Sequence, residues 1–302
     1  MARLTVLGAG VMGRAAARVL LAAGHSVLAY DPAPRARDEI HRIGADLAWT
    51  PALAADPADL ILMFLPGPSE VEDCVSGSEG LVHGVKPPTL VVDMSTVDPG
   101  TTERMSAGLE PIGVDYLDAP VLGRPDSVGR WVLPVGGKAA AIDRARPVLQ
   151  CLAGSIVHAG PCGSGNKIKL LNQLMFGAIN AVTAEMMAVS SKIGMDPRLV
   201  YETISASNAA TVSGLFKELG SRIAEDRYDS PTFTVELLEK DVRLAVQMAV
   251  DHHAPPVLGR AIQFLNEAAC SQGAGKLDTA FMWQCVRRFW TRQEEQATNS
   301  SR

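Results

Sequence analysis

Short apolar runs alternate with helical periods over the first half of the chain. The runs LTVL, HSVLAY, ADLILMFL, TLVVDM, VDYL, RWVLPV and GSIV each span about one strand and are bounded by turn-forming residues. Between them lie segments such as VMGRAAARVLLAAG, in which apolar residues recur at three- and four-residue intervals. This alternation predicts an α/β domain whose sheet is largely parallel, with helices on both faces. After Gly165 the strand signals nearly stop. The segments SKIGMDPRLVYETIS, GLFKELGSRI, VELLEKDVRLAVQMAVDHH and PVLGRAIQFLNEAACSQ predict helices only. The expected organisation is an α/β domain over 1–163, an all-α domain over 164–291 entered by a long helix starting near Gly165, and a mobile polar tail over 292–302.

The first strand runs into VLGAGVMG, which sets Gly8, Gly10 and Gly13 in G-x-G-x-x-G spacing. Alone this spacing is weak. It gains force from its place after an apolar strand, at the start of a helix and at the head of a βαβ pattern. Gly8 suits a tight turn, Gly10 lets backbone approach a pyrophosphate, and Gly13 lets helix pack on strand. Free N–H groups at the helix start would face the phosphates. The expectation is a Rossmann domain that binds a dinucleotide through Gly8, Gly10, Val11, Met12 and Gly13. The next strand ends at Asp31, where a carboxylate takes the adenosine ribose hydroxyls and repels a 2′-phosphate. NAD is therefore expected, with NADP left open by Arg35 and Arg37 nearby.

The segment GSGNKIKLLNQLMFGAIN places charge and amides at the head of an apolar helix. At about 100° per residue, Lys169, Asn172, Gln173, Phe176 and Asn180 share a face, while Lys167 points about 160° away from Lys169. Two readings stand. The face is solvated, as on any amphipathic helix, or it is buried and its polar groups take partners, which a bound ligand would supply.

Composition narrows the choices. Hydrophobic residues make up 47% and charged residues 20% of 302, with a formal net charge of -5. That balance favours a globular protein and recruits neither nucleic acid nor an anionic membrane. The five cysteines show no CxxC pair, which points to a reducing cytoplasm and away from a disulfide framework. The N-terminus reads as a strand and not as a secretion signal. No run reaches about 18 uncharged apolar residues; Leu170–Met187 comes nearest, and amides and Glu185 interrupt it. His252 and His253 read as a helix end, so no metal is expected, and the nucleophile elbow G-x-S-x-G is absent.

Taken together, the motifs resemble the β-hydroxyacid dehydrogenase family, which includes 3-hydroxyisobutyrate dehydrogenase and tartronate semialdehyde reductase. GAGVMG is similar to the family's cofactor loop. FLPGPSEVEDCV is similar to its Leu-Pro segment, with Leu65 and Pro66 beside the cofactor. DMSTVDP resembles its D-x-S-T block, with Thr96 near the nicotinamide. DAPVLG resembles the substrate loop, GSGNKIKLLNQ the catalytic block, and LLEKDVRLA a block whose lysine, here Lys240, reaches the cofactor. Six blocks in family order cover nearly the whole chain.

The resemblance implies Lys169 as a buried general acid/base and Asn172 as the group that fixes the substrate's pose, with Gln173 a weaker substrate contact. Burial disfavours an ammonium ion, which would suit a lysine to proton transfer near neutral pH. One stretch departs from the family. At the usual Ser-Gly-Gly stand Leu122, Gly123 and Arg124. Leu122 removes a hydroxyl donor, and Arg124 is a candidate clamp for a carboxylate, sulfonate or phosphate.

The implied activity is hydride transfer between NAD and a small, 3-hydroxyisobutyrate-like 3-hydroxy acid, with a carboxylate substrate bound between the domains. Two alternatives are an NADPH-dependent reductase of a semialdehyde, imine or sulfonate- or phosphate-bearing aldehyde, and a non-catalytic cofactor-binding protein. The apolar circumference of the long helix adds the expectation of a homodimer or homotetramer.

Overall fold

The computed structural model describes residues 1–56 and 58–289, so the predicted tail over 292–302 lies outside the described residues. The chain forms two compact units that divide after Leu170.

The first unit is built on an eight-stranded sheet. In chain order its elements are β1 (Arg3–Leu7), α1 (Val11–Ala22), β2 (Ser26–Tyr30), α2 (Pro34–Arg42), β3 (Asp46–Leu47), α3 (Pro51–Ala55), β4 (Leu60–Met63), α4 (Pro68–Ser76), β5 (Leu90–Asp93), α5 (Pro99–Leu109), β6 (Asp115–Asp118), β7 (Trp131–Gly136), α6 (Ala139–Leu152) and β8 (Ala153–Gly160). The strand order is β3-β2-β1-β4-β5-β6-β7-β8. All neighbours are parallel except β6 and β7. This is the parallel-rich Rossmann sheet expected from the βα alternation.

Every residue of β4 and β5 is buried, because helices cover both faces of a parallel sheet. Leu4, Val6, Leu60, Leu62, Leu90 and Val92 join one core. Leu7, Ile61, Met63 and Val91 point into the other. The period of two splits each apolar run between two hydrophobic layers.

The long helix α7 (Ser164–Lys192) begins one residue before the expected Gly165. The all-α part continues through α8 (Pro197–Ser205), α9 (Gly214–Ala224), α10 (Val235–Asp251) and α11 (Val257–Ala269), and residues 282–289 are also helical. The side chains of Asp196, Ser213 and Thr234 accept from first-turn backbone N–H groups of α8, α9 and α10.

By length and hydropathy α7 meets the composition of a membrane-crossing helix, and 39% of its apolar window is buried inside the protein. Its face in the second unit is polar as well as apolar: Gln173, Asn180, Thr183 and Ser190 are all buried. Leu171, Met175, Val182 and Val189 form an exposed apolar stripe along the opposite side.

Candidate active site

Four strands of the first unit end side by side, and each leads into predicted cofactor residues. Gly8 follows β1, Asp31 follows β2, Leu65 and Pro66 lie past β4, and Thr96 lies past β5. Backbone bonds tie these ends together: Gly8 N donates to Tyr30 O at 2.9 Å, Phe64 N to Leu7 O at 2.8 Å and Met94 N to Met63 O at 2.9 Å. Leu65 N donates to Ser95 Oγ at 2.8 Å, which locks the Leu-Pro segment to the Thr96 segment.

The turn at Gly8 has no room for another side chain. Gly8 has φ +89°, and a Cβ there would lie 2.3 Å from Phe64 O. A Cβ on Gly13 would lie 1.9 Å from Gly8 O, so strand and helix meet backbone to backbone. Among the described residues, a Cβ on Gly10 would meet no atom beyond its chain neighbours within 4 Å. Gly10 caps α1 without any side-chain acceptor. The N–H groups of Val11, Met12 and Gly13 are therefore directed beyond the strand end, the arrangement that receives a phosphate.

Asp31 accepts from Ala9 N at 2.8 Å through Oδ2 and from Ala33 N at 2.9 Å through Oδ1. Each oxygen keeps a lone pair for a ribose hydroxyl. Arg37 donates through Nε to Asp31 O at 3.1 Å, and its guanidinium lies 5.1 Å from the Trp49 ring centroid. Arg37 is thus engaged by protein groups beside the carboxylate. This cradle fits a dinucleotide.

Lys169 meets the loop that follows β6, the parallel neighbour of β5. Its Nζ donates to Val121 O at 2.9 Å, which sets it against the loop of Leu122, Gly123 and Arg124. Lys169 is half-buried, not buried as expected. The reason is its helix position, between the buried Asn166 and Leu170 and the exposed Ile168 and Leu171. Lys167 is also half-buried.

The loop is held by backbone contacts. Leu122 and Val132 exchange two backbone bonds at 3.0 and 3.1 Å. Trp131 is fully buried and donates through Nε1 to Arg124 O at 2.7 Å. A Cβ at Gly123 would lie 2.4 Å from Trp131 Cδ1, so only glycine fits there. Arg124 is half-buried.

In the second unit Asn172, Gln173 and Lys240 come together around Asp241. Asn172 is exposed and donates through Nδ2 to Gln173 Oε1 at 3.1 Å. Buried Gln173 donates to Asp241 Oδ2. Lys240 Nζ and Asp241 Oδ1 form an ion pair at 2.7 Å. The face read from sequence as one polar spine therefore has two environments. Protein groups partner its buried amides: Asp241 for Gln173, and Thr279 O for Asn180 at 3.2 Å.

Asp93, at the end of β5, is fully buried. Its carboxylate accepts from Ser95 N at 2.9 Å and from the Tyr116 hydroxyl at 2.8 Å. Burial pushes this carboxyl from 3.8 up to about 6; the Ser95 and Tyr116 donors oppose the rise and the nearby Asp118 adds to it. The folded chain then holds a proton that the unfolded chain releases near pH 4. Stability from this group is full below that pH and is lost as pH rises through about 6, by roughly 3 kcal/mol. Thermal unfolding followed between these pH values should show most of this slope vanish in Asp93→Asn. An equal slope in both proteins would assign the titration to another group.

With this geometry in place, comparison with known proteins decides the family. The family described as the NAD-binding domain of 6-phosphogluconate dehydrogenase matches residues 3–160. The family described as the NAD-binding domain of NADP-dependent 3-hydroxyisobutyrate dehydrogenase matches residues 163–286. The chain is 31% identical over 294 residues to 3-sulfolactaldehyde reductase of Escherichia coli, covering 95% of this chain and 96% of that protein. The chain belongs to the NAD(P)-dependent β-hydroxyacid dehydrogenase family.

It is also 28% identical over 291 residues to human mitochondrial 3-hydroxyisobutyrate dehydrogenase, covering 93% of this chain and 85% of that one. Among solved structures, 3-hydroxyisobutyrate dehydrogenase of Salmonella typhimurium superposes with TM-score 0.87 at 26% identity, covering 94% of this chain and 99% of that chain. The Mycobacterium tuberculosis 3-hydroxyisobutyrate dehydrogenase with L-serine gives TM-score 0.81 at 27% identity, covering 95% and 99%. Membership makes the chain an oxidoreductase with NAD(P)-binding domains, acting in a family of hydroxyacid and semialdehyde dehydrogenases.

Sequence reasoning overlooked three polar residues that the structure places among the candidates: Asp118, Asn166 and Asp241. Each lies inside a motif block that was recognised for another residue. The available signal was a charged or amide side chain within an otherwise apolar stretch.

Proposed function

We propose that the chain transfers hydride between NAD and a small 3-hydroxy acid, with Lys169 moving the hydroxyl proton. The observation that carries this reading is the contact of Lys169 Nζ with Val121 O, which brings a titratable amine to the loop of Leu122, Gly123 and Arg124. The nicotinamide supplies the hydride acceptor. In oxidation, neutral Lys169 takes the hydroxyl proton as the carbon–oxygen bond becomes a carbonyl; in reduction, protonated Lys169 returns it. Asn172 fixes the substrate by hydrogen bonding, and Gln173, held by Asp241, fixes Asn172. Lys240 and Thr96 complete the cofactor contacts in this reading. Asp31 sets the preference for NAD by repelling a 2′-phosphate.

Arg124 favours a second reading, reduction of a sulfonate- or phosphate-bearing aldehyde. A guanidinium replaces a glycine at the anion end of the loop, and a relative covering nearly the whole chain is named 3-sulfolactaldehyde reductase. A planar fork of donors suits carboxylate, sulfonate and phosphate alike. Arg124→Ala, assayed with the best carboxylate and the best sulfonate substrate, is expected to raise KM at a cost of roughly 1.5–3 kcal/mol. A larger loss for the sulfonate supports the second reading. An unchanged kcat/KM for both would remove Arg124 from the site.

A further inference from the structure

The carboxylate of Asp118 takes no part in the proton transfer just described, yet it is fully buried where three segments of the first unit meet. One of its oxygens accepts from Gly163 N at 2.7 Å and the other from Asn166 N at 2.8 Å. These donors belong to the start of α7, whose first N–H groups have no partner within the helix. A carboxylate from the end of β6 thus caps a helix that begins far along the chain, where negative charge also meets the favourable end of the helix dipole.

The space around Asp118 is closed. A Cβ at Gly136 would lie 2.2 Å from one carboxylate oxygen, and a Cβ at Gly165 would lie 2.9 Å from the other. Burial pushes the Asp118 carboxyl up, while the N–H groups of Asn166, Gly163 and Gly165 hold it down.

The bonds continue from Asn166, itself fully buried. Its Oδ1 accepts from Val97 N at 3.2 Å, and its Nδ2 donates to Thr102 Oγ1 at 3.2 Å. Val97 directly follows Thr96. On the other side, Asp118 opens the short segment that ends at Val121, whose carbonyl receives Lys169 Nζ. Lys169 stands three residues after Asn166, less than one helical turn away. A small rotation of the first turn would therefore carry Nζ off its place.

We propose that Asp118 is a positioning residue for the proton transfer: it joins the end of β6 to the first turn of α7 and fixes Lys169 against the 121–124 loop, with Asn166 anchoring that turn. The proposal rests on the reading of Lys169 as the acid/base. A cap with only a structural role would lower stability and every function of the unit together. A positioning cap acts through Lys169 and falls silent when that amine is gone.

The test is a double-mutant cycle of Asp118→Asn and Lys169→Ala on the full chain, with kcat, KM and cofactor affinity measured for each protein. Asp118→Asn keeps the size of the side chain and replaces an acceptor with a donor that opposes the helix N–H groups. It should lower kcat about a hundred-fold, the cost of a small misplacement of a catalytic group, with cofactor affinity unchanged. Added to Lys169→Ala, it should cost nothing further. Equal fold losses in both backgrounds, or a parallel loss of cofactor affinity, would overturn the proposal alone. A fully active Lys169→Ala would overturn the acid/base reading and the proposal with it. If Asp118→Asn does not fold, Thr102→Val carries the same comparison, since it removes the acceptor for Asn166 while keeping the shape. A smaller kcat loss confined to the background with Lys169 supports the proposal, and the same loss in both backgrounds overturns it.

Discussion

Lys169→Ala is expected to lower kcat by about two to four orders of magnitude, which is what positioned acid/base catalysis contributes. Cofactor affinity should stay nearly unchanged, because the phosphate cradle at Gly8, Gly10 and Gly13 is built on β1 and α1, whereas Lys169 stands on α7. Lys167→Ala should be close to silent. The two lysines are both half-buried, so exposure does not separate them. Direction does: Lys169 reaches Val121 O, and Lys167 leaves the helix about 160° away. Steady-state kinetics of both variants with one substrate decides the matter. Equal losses would show that the helix face has been assigned wrongly.

Gly13→Ala should strike the cofactor instead of the proton. A Cβ at this position would lie 1.9 Å from Gly8 O and 3.4 Å from Val6 Cγ1. The nearest atom is backbone, so no side chain can swing aside. Strand and helix must separate, and the turn that aims the N–H groups of Val11, Met12 and Gly13 opens with them. Overpacking of this kind typically costs about 1–3 kcal/mol. Appearing as lost cofactor affinity, that is roughly a ten- to hundred-fold rise in Kd. Titration of NAD by protein fluorescence or calorimetry measures it. Gly10→Ala separates the two causes: among the described residues a Cβ there meets no atom beyond its chain neighbours within 4 Å, but it stands where the pyrophosphate approaches. It should therefore weaken NAD without lowering the Tm, whereas Gly13→Ala should lower both affinity and Tm. A Gly13→Ala protein that keeps its Tm and binds NAD tightly would contradict the strand–helix account.

The glycine loop, the parallel sheet and the helical second half were legible because each leaves a local signature. Spacing marked Gly8, Gly10 and Gly13, and apolar runs marked seven of the eight strands. The eighth, β3, has only Asp46 and Leu47 and is too short to show a period. Local pattern also found the polar residues of α7, but their partners are remote in sequence. Gln173 meets Asp241 68 positions away, and Asn180 meets Thr279 99 positions away. Periodicity places such residues on a helix face and gives no account of what the fold brings opposite.

The same limit hid the cap on α7. Its sequence offers Gly163 and Ser164 at the start, where a local acceptor would be sought. The acceptor is Asp118, 45 residues before Gly163. Leu122 and Arg124 were legible as a departure from the family's loop, and the structure adds why Gly123 stays: Trp131 occupies the space that a side chain would need.

The most direct test of the central claim is the initial rate of nicotinamide reduction by the purified chain, measured with NAD and with NADP against 3-hydroxy carboxylates, 3-hydroxy sulfonates and their 2-hydroxy isomers. Turnover should occur with a 3-hydroxy acid, and kcat/KM should be higher with NAD than with NADP, because Asp31 faces the 2′-phosphate with like charge. Cofactor that binds but takes no hydride from any 3-hydroxy acid, or faster turnover of the 2-hydroxy isomers, would contradict the account.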